Sequence, residues 1–157
     1  MEYREWTFVD RSDWKQSRVA YGEPDKIQWR DEETSLPCLV HRGPSGAWCG
    51  YVGVDNSHPM YEKNYNDVPI DDLHGGLTFS DFCQQSDENG KGICHITDNH
   101  EKVWWFGFDC AHIGDVCPKW DGELQNFGDY SSYKNLSYVK DEVKSLAKQL
   151  AAQRQQV

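Results

Sequence analysis

The sequence predicts a single α+β domain: a mainly antiparallel sheet with one C-terminal amphipathic helix packed on one face. Three observations carry this. Residues 36–41 and 47–54 are two apolar runs joined by the turn residues R-G-P-S-G, which reads as a hairpin. Residues 103–108, V-W-W-F-G-F, are too apolar to be exposed on either face and so belong near the middle of a sheet. Val139, Val143, Leu146 and Leu150 follow at spacings of four, three and four, which places them on one face of a helix. A chain of 157 residues favours one domain with a core large enough to fold unaided.

In chain order, residues 1–35 are a variable N-terminal part, with short strands expected at 6–9 and 27–29 around the turn G-E-P-D at 22–25. Residues 36–115 are the sheet core. Within it, 55–72 is a long polar loop with two prolines and three asparagines, a length that is often functional in a compact domain. L-H-G-G at 73–76 reads as a turn leading into a strand at 77–80, where Leu77 and Phe79 alternate with Thr78 and Ser80. A further short strand is expected at 93–97. Residues 116–135 are an irregular insert rich in Gly, Asp and Tyr, and 136–153 the helix. Ser137 is its expected N-cap; Asp141 and Glu142 early and Arg154 late match the helix dipole.

Composition excludes several classes. The chain is 38% hydrophobic and 13% aromatic, so it is not wholly disordered. A formal charge of −10, from 26 acids against 16 Lys and Arg, argues against a broad nucleic-acid-binding surface, although net charge leaves room for a local basic pocket. No apolar run approaches a membrane span, and the start M-E-Y-R-E-W lacks the features of a signal peptide. The expectation is a cytoplasmic protein whose six cysteines are reduced.

Five groups of residues could carry chemistry, and most have a plainer structural role beside them. In His74-Gly75-Gly76 the glycine pair can let backbone N–H groups converge on an anion, with His74, Thr78 and Ser80 adding side-chain donors; equally, it can be a turn needing positive φ at two positions. In the segment after the apolar run, Asp109, His112 and Asp115 offer an acid that fixes an imidazole tautomer, leaving the other ring nitrogen as base or donor; the plainer role is a turn-forming acid and a packed histidine. Among the aromatics, Trp48, Tyr51, Tyr61 and Tyr65 can stack on a planar ligand or pack in the core, while Trp104, Trp105, Phe106 and Phe108 are core candidates. Cys38, Cys49, Cys83, Cys94, Cys110 and Cys117 include no C-x-x-C pair, so buried reduced thiols are expected and no metal. Cys110 beside His112 lacks a thiol-activating helix start. His95-x-Thr97 occurs once where two-histidine phosphoesterases need two copies, and a P-loop and G-x-G-x-x-G are absent, so no cofactor is expected.

H-G-G-L-T-F-S at 74–80, W-W-F-G-F-D-C-A-H-I-G-D at 104–115, C-G-Y-V-G-V and H-P-M-Y between 49 and 61, and the closing Y-V-K-D-E-V-K-S-L-A-K-Q-L together resemble a group of small phage and prophage proteins, over about residues 36 to 152. The resemblance implies a phage origin, hence the cytoplasm of an infected bacterium, and it supplies no reaction. A small acidic phage protein with a preformed cleft is expected to interfere with host defence. The leading expectation is a protein that binds and sequesters a nucleotide-derived immune signal: His74, Gly75, Gly76, Thr78 and Ser80 on phosphate, Trp48 and Tyr61 near a base, and Asp109, His112 and Asp115 orienting the site. Sequestering proteins often share a cleft between subunits, so a homodimer accompanies this expectation. The second is a hydrolase or phosphodiesterase using His74 and His112 as base and acid with Asp109 as orienting group. The third is an acidic inhibitor of a host defence protein.

Overall fold

The computed structural model describes residues 3–12, 14, 22–43, 45–82, 103–111, 117–118 and 134–154. Six strands form one antiparallel sheet: β1 (Arg4–Trp6), β2 (Lys26–Arg30), β3 (Pro37–Arg42), β4 (Trp48–Val54), β5 (Phe79–Phe82) and β6 (Trp104–Asp109), in the order β1-β2-β3-β4-β6-β5. One helix, α1 (Leu136–Arg154), packs on β3 and β4. The α+β class and the expected hairpin are therefore present. The strand expected at 93–97 lies outside the described residues.

The residues expected to be variable do more than flank the sheet. β2 pairs along its length with β3, Ile27 opposite Val40 and Trp29 opposite Cys38, and β1 then pairs with β2. The apolar run before Asp109 is an interior strand, flanked by β4 and β5. Its alternation explains its composition. Phe106 and Phe108 join the core under α1, while Trp105 packs with Leu39 and Tyr51 on the opposite face.

The helix buries Val139, Val143, Leu146, Ala147 and Leu150 against that core, as their spacing requires. Gly50 lets it approach. A Cβ there would stand 2.6 Å from the Phe108 ring and 2.7 Å from Val143. The N-cap is Asn135 rather than Ser137: its Oδ1 accepts from Tyr138 N at 2.9 Å and its carbonyl from Val139 N at 3.0 Å. Asn135 is one residue ahead of the first helical turn, so its side chain reaches the unpaired amides, whereas Ser137 is already helical.

A buried ionic cluster anchors this helix start. Asp25 and the Arg42 side chain are wholly buried and paired at 3.1 Å, and Arg11 adds a second contact to Asp25 at 2.6 Å. The other Asp25 oxygen accepts from Phe8 N and Val9 N. Arg42 also meets Glu23 at 3.0 Å and lies 4.2 Å over the Trp48 ring. Glu23 then accepts from Leu136 N at 2.6 Å. The turn at 22–25, the end of β3 and the first turn of α1 are thus held by one charged group of side chains.

The 55–72 loop is sewn along α1. His58 Nδ1 accepts from Met60 N, which fixes Nε2 as the protonated nitrogen donating to Leu150 O at 2.7 Å. Gln149 exchanges two hydrogen bonds with Asp71, and Gln153 donates to Pro69 O. A short 3₁₀ turn, Tyr65–Asp67, sits on Ser80, whose Oγ accepts from Tyr65 N.

Candidate functional site

The two polar turns singled out in the sequence meet at one end of the sheet. Antiparallel pairing of β5 with β6 sets Phe79 opposite Gly107, and Thr78 N donates to Gly107 O at 2.9 Å just before it. The chain entering β5 therefore lies beside the chain leaving β6. Thr78 Oγ1 donates to Asp109 Oδ2 at 3.3 Å, while Asp109 Oδ1 accepts from Ala111 N at 3.0 Å. Asp109 is both the turn former of the plainer reading and a carboxylate held in a fixed direction.

His74 reaches the same end from the turn before β5. Its Nδ1 is 2.7 Å from the Tyr138 hydroxyl, and the two rings meet edge to face with centroids 5.4 Å apart. Tyr138 stands in the first turn of α1, which Glu23 ties to Trp48 at the start of β4. The 73–76 turn and the start of α1 thus bring imidazole and hydroxyl together on the helix side of the sheet, while the Thr78–Asp109 pair stands at the same end on the opposite face. Sequence reasoning missed Tyr138. Its position at the N-terminal end of an amphipathic helix was readable, but its partner 64 residues away was not.

The other expected site residues are distributed differently. Gly75 and Gly76 both have positive φ, at 67° and 73°, which explains the glycine pair, and Gly76 N donates to Leu73 O at 2.9 Å. That amide closes the turn, so it does not join an anion cradle. Ser80 is occupied as the seat of the 3₁₀ turn. Trp48 is fully buried and stacked on Arg42, so no ligand reaches its ring. Tyr61 packs edge to face on Phe82, at the far end of β5 from Thr78. His112 and Asp115 lie outside the described residues, as do His95, Thr97, Cys83 and Cys94.

The face of the sheet opposite α1 carries a row formed by register: His41 on β3, Cys49 on β4 and Asp109 on β6. Burial pushes the Cys49 thiol up to about 12, with Asp109 adding repulsion of the thiolate. Burial likewise raises Tyr51 beside it and Cys38 on the other face. These thiols are protonated near neutrality and poor nucleophiles. Among the described residues, Cys38, Cys49, Cys110 and Cys117 form no disulfide. Among the described residues, no group of three or more His, Cys, Asp or Glu is placed to hold a metal ion, and no helix is long and apolar enough to cross a membrane.

No family model matches the chain, and comparison with curated proteins and with solved structures likewise finds no match.

Proposed function

We propose that this chain is a phage-encoded binding protein that captures a nucleotide-derived small molecule, a signal of host anti-phage immunity, in the cytoplasm of the infected cell. In this reading the ligand sits at the end of the sheet that carries two polar pairs, His74 with Tyr138 on the helix side and Thr78 with Asp109 on the other. The observation that carries it is the Thr78–Asp109 contact at 3.3 Å, which unites two polar turns 31 residues apart in sequence. Imidazole and hydroxyl donors suit phosphate oxygens, a carboxylate suits ribose hydroxyls, and the backbone holding them is rigid because it is sheet and helix end. Tyr138 replaces Trp48 and Tyr61 as the aromatic ring beside the ligand. The phage origin and the link to immunity rest on the motifs at 74–80 and 104–115.

Isothermal titration against cyclic dinucleotides and ADP-ribose derivatives tests the proposal. Saturable heat that His74→Ala and Asp109→Ala each reduce is the expected result, and uniform absence of heat overturns it. Denaturing the complex and analysing the released ligand separates capture from catalysis: intact ligand supports the binder, and fragments would assign the same residues to a hydrolase instead. Salt-sensitive capture of a host protein that is indifferent to His74→Ala would turn the reading to an acidic inhibitor.

A further inference from the structure

The 55–72 loop is held by two unlike surfaces. Its middle sits on the sheet edge: Tyr65 N donates to Ser80 Oγ at 3.0 Å, and Trp104 Nε1 donates to Lys63 O at 3.0 Å. Its two ends lie against the last turns of α1. Asp71 N donates to Gln149 Oε1 at 2.8 Å, and Gln149 Nε2 donates to Asp71 O at 2.7 Å, so one residue satisfies both groups of the side-chain amide. Gln153 repeats this contact one helical turn later and two loop residues back, donating through Nε2 to Pro69 O at 3.0 Å.

The repeat is incomplete. Pro69 has no backbone N–H, so the second half of the pair cannot form. Gln153 is 7% exposed and, among the described residues, its Oε1 is buried with no hydrogen-bond partner. A buried acceptor without a donor has given up its hydration for nothing in return. The closed loop carries this cost, and water reaching Oε1 on opening removes it.

His58 holds the other end. Its ring is 3% exposed, with Nδ1 accepting from Met60 N at 3.0 Å and Nε2 donating to Leu150 O at 2.7 Å. A second ring proton would set Nδ1–H against the Met60 N–H, two donors face to face. The charged groups that act on the ring are Arg154 of α1, which opposes an imidazolium, and Asp55 of the loop, which favours one. Asp55 already accepts from Ser57 N and lies 3.4 Å from Arg154. The Leu150 carbonyl also favours the charged ring, but burial is the largest influence and keeps the imidazole below the ordinary histidine value.

We infer that the two ends of this loop form a proton-operated clasp: when His58 takes up a proton, residues 55–60 and 69–72 lift from α1 together while the middle stays on the sheet edge. The two ties, at Leu150 and Gln153, are one helical turn apart, so an end released at His58 also opens Gln153 to water. Opening bares the flank of α1 from Gln149 to Arg154. It needs no part of the function proposed above.

The test is amide hydrogen exchange of the full chain, followed residue by residue by NMR at about pH 7.5 and about pH 5.5 and corrected for the intrinsic rate at each pH. One proton with an ordinary histidine value in the open state lets the opening constant rise by at most about tenfold over this interval. The protection of Met60 N–H and Asp71 N–H is expected to fall in step by about three- to tenfold, while Tyr65 N–H keeps its protection. His58→Gln is expected to give both amides the same protection at the two pH values. Pro69→Ala supplies the missing N–H and is expected to raise the protection of both amides about threefold or more at the higher pH, because the completed bond outweighs the freedom the backbone gains. A change in Met60 protection of less than about twofold, a fall shared equally by Tyr65, or a pH dependence kept in His58→Gln would each overturn the clasp. Lower protection in Pro69→Ala would overturn the role given to Gln153.

Discussion

The buried ionic cluster makes the sharpest test of how this fold is held. Consider Asp25→Asn, which keeps the shape of the side chain and creates no cavity. Every group around the Asp25 carboxylate is a donor: Phe8 N and Val9 N on one oxygen, Arg11 Nη2 and Arg42 Nε on the other. An asparagine supplies one acceptor oxygen, so its NH₂ must face either two backbone amides or two guanidinium groups. Arg11 is 19% exposed and can turn to solvent, but the Arg42 side chain is wholly buried and cannot. Removing one partner of a buried pair costs about 3–5 kcal/mol. Glu23 stays 3.0 Å from Arg42 and keeps part of the compensation, so the lower end, about 3 kcal/mol, is expected. With a urea m-value of roughly 2 kcal/mol/M, that lowers the unfolding midpoint by about 1.5 M. The assay is equilibrium urea unfolding followed by far-UV circular dichroism, with Asp67→Asn as an exposed control expected within about 0.5 kcal/mol of the parent. A loss below about 1 kcal/mol for Asp25→Asn refutes the argument. A double-mutant cycle with Arg42→Met should return a coupling energy well above about 1 kcal/mol; a value near zero would place the cost elsewhere.

Three further outcomes follow from the packing. Gly50→Ala sets a methyl group against Phe108 and Val143, so it should cost about 1–3 kcal/mol in the same urea assay, and an unchanged midpoint would mean that α1 does not sit where described. Leu146→Ala, at a fully buried position under the sheet, should cost about 2–5 kcal/mol, and calorimetry should show the loss as a lowered Tm. Burial holds His58 below the ordinary histidine value of 6.5, and both ring nitrogens are committed in the neutral form. As the pH falls below 6.5 the unfolded chain takes up this proton first, so stability is full above 6.5 and declines as the pH drops towards the folded value. His58→Gln should flatten that window; a variant with the parent's pH slope would show that His58 is not its source.

Much of the fold was legible because it rests on local pattern. The spacing Val139, Val143, Leu146, Leu150 produced a helix with that face buried, and the turn at 42–46 produced a hairpin. Short-range capping was read less well: Asn135, not Ser137, holds the helix start, because cap position depends on where the chain turns into the helix. In the site, the pairing of the 74–78 turn with Asp109 was a spatial expectation, and β5–β6 register brings Thr78 and Asp109 together. The roles of Trp48 and Tyr61 could not be read from residue type. A tryptophan at a strand end can stack on a ligand or on a buried arginine, and the choice depends on Arg42 six residues away and on what α1 covers.

The sequence by itself determined the class of this protein: an acidic chain with one amphipathic helix, an apolar interior strand and glycines where the backbone must turn left-handed. These are properties of composition, period and single-residue conformation, and each acts within a few residues. Tertiary structure alone decided which charges meet. Asp25 with Arg42, His74 with Tyr138, and Lys140 against Trp29 and Tyr3 are pairs fixed by sheet register and by where the helix lies. Contacts of that kind are set by the packing of many weakly constrained elements at once, and no local signal in the chain encodes them.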